Sequence, residues 1–237
     1  MKVAIVDFRI SKEEIKSLEG LNIKVLKCPY YSGVYEAICG HPDIQINILS
    51  KSDIMVHPKI NENFIKELSK LGYNVHLSSK DIGFNYPENI ILNALNTERF
   101  FLHNLTYTDK NLLNYIEDKK LLNVSQGYTK CSTAIISKEA FLTNDIKIKE
   151  SLESLGADVL LLPPGDIELH PLNYGFIGGT CGLIDKNTLA FFGSLDKYIY
   201  GDKVKSFLKK HNITPFYLKE SALTDRGSLF IIESKYL

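Results

Sequence analysis

The chain has 237 residues, 44% hydrophobic and 24% charged, and its 28 basic and 28 acidic side chains cancel. That balance fits a globular chain with a sizeable core, and zero net charge gives no electrostatic reason to expect nucleic acid or an anionic membrane as partner. No apolar run is long enough for a membrane span, the N-terminus lacks a signal-peptide pattern, and four scattered cysteines without a CxxC pair favour reduced thiols in a cytoplasmic protein over a zinc site or disulfide scaffold.

In chain order, Ala4 to Asp7 is a short apolar run ending in a polar residue, as expected of a buried strand. A helical pattern follows from Ser11 to Leu18, with Ile15 and Leu18 on one face and Ser11 with Glu14 as a capping box. Gly20 stands where a helix-ending glycine is expected, and Ile23 to Leu26 is a second strand. From Ile44 the same order recurs with one strand added in front. Strand a is Ile44 to Ile48, strand b Ile54 to His57, the helix Asn61 to Leu71, and strand c Val75 to Leu77.

The next unit has strand a at Ile90 to Asn93, strand b at Phe100 to His103, a helix from Thr108 to Lys119 and strand c at Leu122 to Val124. A further unit reads Ala134 to Ile136, Phe141 to Asn144, Lys147 to Leu155 and Val159 to Leu162. The last full unit reads Gly182 to Ile184, Ala190 to Gly193, Asp202 to Lys210 and Pro215 to Leu218. Strand b therefore recurs at steps of 46, 41 and 49 residues from Ile54. Leu229 to Ile232 is a strand a with nothing after it, whereas the N-terminal segment has b, helix and c with nothing before them. The two remnants make one unit if they pair. The expectation is a single domain, 1–237, of α/β class: a five-bladed α/β propeller of pseudo-fivefold strand–strand–helix–strand repeats, closed by joining the terminal segments so that no sheet edge is left open.

In such a ring the five loops entering strand a converge on one pocket, and loops on a rigid scaffold carry function. Here they contain Gly40-His41-Pro42-Asp43, Tyr86-Pro87-Glu88-Asn89, Thr129-Lys130-Cys131-Ser132, Phe176 to Cys181 and Thr224 to Ser228. Cys131 is the candidate nucleophile and His41 the candidate acid/base. Asp43, two residues from His41, would share its face on a strand and orient the imidazole or bind a cation. Glu88, Asn89 and Asp225 are candidate substrate-binding groups from neighbouring units. Gly178 and Gly179 would let a backbone approach the ligand, while Cys181 competes with Cys131 and His170 is a second candidate base. His57 and His103, matching positions after strand b, are expected to be turn residues rather than a metal pair. No phosphate loop or dinucleotide fingerprint is present, so no cofactor and no metal is expected. The expected partner is a small molecule.

As a set, Gly40 to Asp43, Tyr86 to Asn89, Gln126 to Ser132, Tyr174 to Gly179 and Leu223 to Gly227 resemble the pentein, or guanidine-modifying-enzyme, superfamily, and in particular an uncharacterised bacterial family of that fold. The resemblance implies a cysteine that attacks a guanidinium carbon, a histidine in an H-x-D pattern, matched by His41-Pro42-Asp43, and carboxylates on the guanidinium nitrogens. It implies a hydrolase or transferase acting on a guanidine, amidine-like or amide C–N bond. The same fold also serves a non-catalytic ribosome-binding factor, so a binding module is the alternative. Two departures stand out. Cys131 is mid-chain, where the superfamily nucleophile usually lies near the C-terminus, and Ile177 replaces the glutamate of an E-G-G segment. Ile cannot pair with a guanidinium, so Glu88, Asp43 or Asp225 takes over, or the substrate is not a guanidine.

Overall fold

The computed structural model describes residues 1–116 and 118–235. The chain runs β1 (Lys2–Asp7), α1 (Lys12–Glu19), β2 (Lys24–Cys28), α2 (Pro42–Gln45), β3 (Ile46–Ile48), β4 (Asp53–Val56), α3 (Glu62–Lys70) and β5 (Asn74–Leu77). It continues with β6 (Leu95–Asn96), β7 (Phe100–His103), α4 (Lys110–Asn114), β8 (Lys120–Asn123), β9 (Thr133–Ile135), β10 (Ala140–Thr143), α5 (Ile146–Glu153) and β11 (Asp158–Leu161). It ends with β12 (Cys181–Leu183), β13 (Thr188–Phe191), α6 (Gly201–Lys210), β14 (Thr214–Tyr217) and β15 (Phe230–Glu233).

These strands form five sheets of three strands each: β3-β4-β5, β6-β7-β8, β9-β10-β11, β12-β13-β14 and β15-β1-β2. In every sheet the first strand is antiparallel to the middle one and the third is parallel to it. The parallel pair requires a crossover, and α1, α3, α4, α5 and α6 lie one on each of the five crossovers. The last sheet pairs the two ends of the chain, with Val3 opposite Ile232 and Ile5 opposite Phe230.

Successive residues of a strand face opposite sides, so each middle strand serves two cores at once. In β1, Val3 and Ile5 pack with Ile54 and Val56 of the second sheet in chain order, while Ala4 and Val6 pack with Ala190 and Phe192 beside β13. In β7, Phe101 packs with Met55 on one side, and Phe100 and Leu102 pack with Phe141 on the other. Leu142 then meets Leu189 and Phe191. Five apolar clusters thus lie between five pairs of sheets. Middle strands buried on both faces explain why strand b was the clearest repeat in the sequence.

The local signals hold in detail. Ser11 accepts from the Glu14 backbone N–H at 3.2 Å while the Glu14 carboxylate accepts from the Ser11 N–H at 2.7 Å, a reciprocal cap that contributes about 1 kcal/mol. Gly72 and Gly156 take the left-handed conformation after their helices (φ 92° and 81°). Gly20 does not; it stays helical, and Asn22 two residues later makes the left-handed turn (φ 58°). Two expectations shift. The first strand of the second full unit is Leu95–Asn96 rather than Ile90 to Asn93, because Glu88–Ile90 winds into a 3₁₀ turn and the chain after it runs through a further turn before pairing. The helix there starts at Lys110 with Asp109 as its cap, because the Thr108 hydroxyl is engaged by His103. That helix is also shorter than expected, and residue 117, within the expected span to Lys119, lies outside the described residues. Among the described residues no helix is long and apolar enough to cross a membrane.

Candidate active site

Each connection from a third strand to the next first strand delivers side chains or backbone to one point. His41 and Asp43 come from the connection before β3, Asn93 from that before β6, Lys130 and Cys131 from that before β9, Gly178 and Gly179 from that before β12, and Asp225 and Ser228 from that before β15. The Cys131 Sγ donates to Asp43 Oδ2 at 3.1 Å and accepts from the Asn93 amide at 3.2 Å. The Ser228 hydroxyl lies 2.7 Å from Asp43 Oδ2 and 2.9 Å from the Gly178 carbonyl. The Lys130 ammonium, itself buried, donates to the Ser228 hydroxyl at 2.8 Å.

His41 and Asp43 are not on a strand. His41 caps the short helical turn α2, with Pro42 at its first position and Asp43 in its first turn. The turn nevertheless aims both inward, and one ligating atom each of His41, Asp43 and Cys131 lies within 4.8 Å of the others. His41 Nδ1 is 3.9 Å from Asp225 Oδ1 and its Nε2 is 4.0 Å from Asp7 Oδ2. Both ring nitrogens and Asp43 Oδ1 are buried without a hydrogen-bond partner. Three orphaned polar atoms in one place are costly unless a ligand engages them.

Glycines make room for this crowding. A Cβ on Gly179 would lie 1.8 Å from Asp225 Oδ1, and one on Gly178 would lie 2.4 Å from the Lys130 and Thr133 carbonyls. Asp225 is held by the backbone N–H groups of Phe176 (2.9 Å) and Gly227 (3.0 Å).

Burial sets the protonation states. It pushes the Cys131 thiol well up, reinforced by the Asp43 and Asp225 charges and opposed by the Asn93 hydrogen bond. It pushes Asp43 and Asp225 up, opposed chiefly by Lys130 and His41 respectively. It holds His41 below its usual value despite Asp225 and Asp7. At neutral pH the thiol and imidazole are both uncharged.

Above them lies a cavity of about 290 Å³, at the lower end of the ~300–1,000 Å³ typical of ligand pockets. His41, Cys131 and Asp225 line it, with Tyr35, Tyr128, Tyr174 and Phe176 as aromatic walls and Ile38, Leu169 and Leu172 as aliphatic ones. Tyr128 is fixed by hydrogen bonds to Tyr35 (3.1 Å) and Asn89 (3.0 Å). Among the described residues no lysine or arginine lines the cavity.

Of the residues singled out in the sequence, Cys131, His41, Asp43 and Asp225 come together, with Gly178 and Gly179 beneath them. Asn89 acts one step away, through Tyr128. Glu88 does not join them: it is exposed and lies against Gly83, since the 3₁₀ turn points it away. His170 is exposed, and the cavity takes its neighbours Leu169 and Leu172 instead. Cys181 is buried at the start of β12, 3.6 Å from the Ile177 carbonyl, and is absent from the cavity wall. Ile177 packs in the core between β10 and β13. His57 Nδ1 pairs with Asp81 while its Nε2 is buried without a partner, and His103 bonds the Thr108 hydroxyl and the Gly127 carbonyl. Asn93, Ser228 and Asp7 were not singled out. Their one available signal was position, at a loop entering strand a or at the end of strand b.

Comparison with known proteins places these features. The model of a family of unknown function (DUF6873) matches residues 5–230. The chain belongs to that family. No curated protein matches the sequence. Among solved structures, the inosamine-phosphate amidinotransferase of Streptomyces griseus is similar at TM-score 0.62 and 11% identity, over 97% of this chain and 82% of that one. An amidinotransferase from Microseira wollei in the saxitoxin biosynthetic pathway is similar at TM-score 0.59 and 12% identity, over 95% and 79%. The DDAH of Pseudomonas aeruginosa, solved with citrulline, is similar at TM-score 0.51 and 8% identity, over 91% and 90%. The fold is the pentein, or guanidine-modifying-enzyme, fold.

Proposed function

We propose that the chain is one domain in which the five sheets close into a five-bladed propeller, and that it is a cysteine-dependent hydrolase or transferase. Its substrate is a small cationic guanidine- or amidine-like molecule, and its neighbours in fold act on such groups by their names. The observation that carries this reading is the buried triad of Cys131, His41 and Asp43, which holds three unpartnered polar atoms and of which Cys131 and His41 line an aromatic-walled cavity.

Asp43 and Asp225 accept N–H bonds from the substrate cation. That cation adds positive charge beside the thiol, which lowers the cost of ionising Cys131 in its presence. The Cys131 thiol proton passes to His41, and the thiolate attacks the central carbon, forming an S–C bond as the C=N electron pair moves to nitrogen. His41 donates a proton to the departing amine as the C–N bond breaks, leaving a covalent amidino-cysteine. Water, or an acceptor amine, gives its proton to His41 and attacks the same carbon, and the thiolate leaves. A wall of Tyr, Phe, Ile, Leu and one Asn suits an alkyl- or arylguanidine and offers no cation to a carboxylate. Free amino acids such as arginine are therefore poor substrates.

The test is a panel of guanidines and amidines assayed for ammonia or amine release, with Cys131→Ala as control. Turnover of neutral-tailed guanidines that vanishes in the variant supports the proposal. Tight binding with no release, and no trapping of a covalent adduct by mass spectrometry, would leave a binding module instead.

A further inference from the structure

The hairpin joining first to middle strand lies at the opposite end of each sheet from the candidate active site. A second cavity opens there, of about 900 Å³, three times the volume of the first. Each of the five junctions between first and middle strand contributes a cation to it: Lys51, Arg99, Lys138, Lys186 and, where β15 meets β1, Lys2. Lys119 adds a sixth, against three carboxylates, Glu98, Asp185 and Glu233. In a chain with equal numbers of acidic and basic side chains, this is a local excess of positive charge.

Some of that charge is committed. Lys138 pairs with Glu98 at 2.7 Å, Arg99 with Glu139 at 3.2 Å, and the Lys2 ammonium donates to the Ile184 carbonyl. Lys119 donates only to the Asn96 side-chain carbonyl, at 2.6 Å. Lys51 and Lys186 make no hydrogen bond or short ion pair among the described residues. Beneath the cations the lining is apolar, with Ile48, Ile135, Phe141, Leu183 and Ile231.

We propose that this cavity binds a small polyanion: a phosphorylated metabolite with two or more negative charges and an apolar or aromatic body. The cations around the mouth, contributed from all five sheets, meet a multiply charged group, because each neutralises part of it without a dedicated bidentate fork. The apolar lining takes the uncharged body, and the volume admits a molecule of nucleotide size. Lys51 and Lys186 carry most of the selectivity, since neither ammonium is held by a short ion pair among the described residues.

The experiment is isothermal titration calorimetry on the full chain at low salt with inorganic triphosphate, ATP and orthophosphate. Triphosphate is expected to bind at least about tenfold more tightly than orthophosphate, ATP more tightly than triphosphate, and both to weaken as salt rises. The double variant Lys51→Glu/Lys186→Glu is expected to lose at least about tenfold in affinity, and Lys51→Arg/Lys186→Arg to retain it. Thermal unfolding of both variants reports whether the fold is intact. No heat with triphosphate or ATP at millimolar concentration, or unchanged affinity in the folded Glu variant, overturns the site. A single-stranded oligonucleotide binding more tightly than ATP overturns the small-molecule reading in favour of a nucleic-acid backbone.

Discussion

The two ends of the five sheets differ in what burial does to charge. At the loop end, Asp7, Asp43 and Asp225 are nearly or wholly buried around an uncharged thiol and imidazole that open on a cavity of about 290 Å³. At the hairpin end, cations stand around about 900 Å³ with most of their charge in solvent. Desolvation makes the first set of charges strong and geometry-dependent, suited to discriminating a cation and shifting protons. Exposure makes the second set weak, additive and salt-sensitive, suited to holding an anion without acting on it. The same repeat thus presents two electrostatically different ends.

The largest effect that would break this contrast is at the nucleophile. Cys131→Ala is expected to lower turnover of a guanidine substrate by on the order of 10³-fold or more, with the fold retained. In the unliganded wild type the raised thiol pKa predicts slow alkylation by iodoacetamide at pH 7, accelerating as pH rises beyond the usual thiol range. A bound guanidinium that leaves room for the reagent should speed it. Alkylation at pH 7 as fast as that of an exposed cysteine would mean the loop end is not desolvated as described.

Lys130 comes next. Its ammonium reaches Asp43 through the Ser228 hydroxyl and stacks 5.4 Å from the Phe230 ring. Lys130→Met leaves the Asp43 charge without its main buried counterion. A loss of about 3–5 kcal/mol is expected if Asp43 stays ionised, and less if Asp43 takes up a proton instead. Chemical denaturation at pH 7.5 and pH 5.5 distinguishes the two, since protonation of Asp43 makes the variant recover stability at the lower pH. An unchanged stability at both pH values would show that the Lys130 charge is not coupled to the triad.

Metal ions probe the same cluster. The donor set of Cys131, His41 and Asp43 suits Zn²⁺, which would displace the thiol proton and occupy the atoms the substrate needs. Micromolar zinc is expected to inhibit reversibly, and a chelator to leave turnover unchanged. Loss of activity on chelation would assign the cluster to metal chemistry.

How much of this was legible beforehand depends on which physical signal carried each feature. Strand b was legible in all five units because it is buried on both faces, which forces a continuous apolar run such as Phe100 to Leu102. The split unit at the termini was legible for the same reason, from Ala4 to Val6 and Leu229 to Ile232. Strand a of the second full unit was misplaced because Ile90, Ile91 and Leu92 are apolar for another purpose, filling the core between β4 and β7 from a turn. At the site, residue type identified Cys131, His41, Asp43 and Asp225. It misjudged Glu88 and His170, whose orientation depends on a turn and a loop with no periodic pattern. Lys130 neighbours Cys131 in the sequence, but only the fold shows its long stem reaching Asp43 through the Ser228 hydroxyl. Asn93 and Ser228 were missed because amide and hydroxyl groups are common at loop ends, and only the fold reveals which ones touch a sulfur or a carboxylate.

The smallest effect tests whether buried histidines outside the site share its desolvation. His103 is buried, its Nε2–H donating to the Gly127 carbonyl at 2.9 Å and its Nδ1 2.7 Å from the Thr108 hydroxyl. Burial lowers its pKa to about 4, against about 6.5 in the unfolded chain. Between those values the unfolded chain binds a proton that the folded one does not, so stability falls as pH drops below about 6.5 and the loss is complete below about 4. His41 and His57, also held low, act in the same direction, whereas the raised Asp43 and Asp225 act in the opposite one. The net slope of the wild type therefore isolates none of them. The difference between wild type and His103→Gln does. Gln carries no titratable proton, so the variant should gain about 2 kcal/mol relative to wild type on going from pH 7.5 to pH 5, read from urea midpoints at each pH. A gap between the two proteins that stays constant with pH would mean that His103 titrates as it does in the unfolded chain. The repeat position it shares with His57 would then be wetter than the core around it.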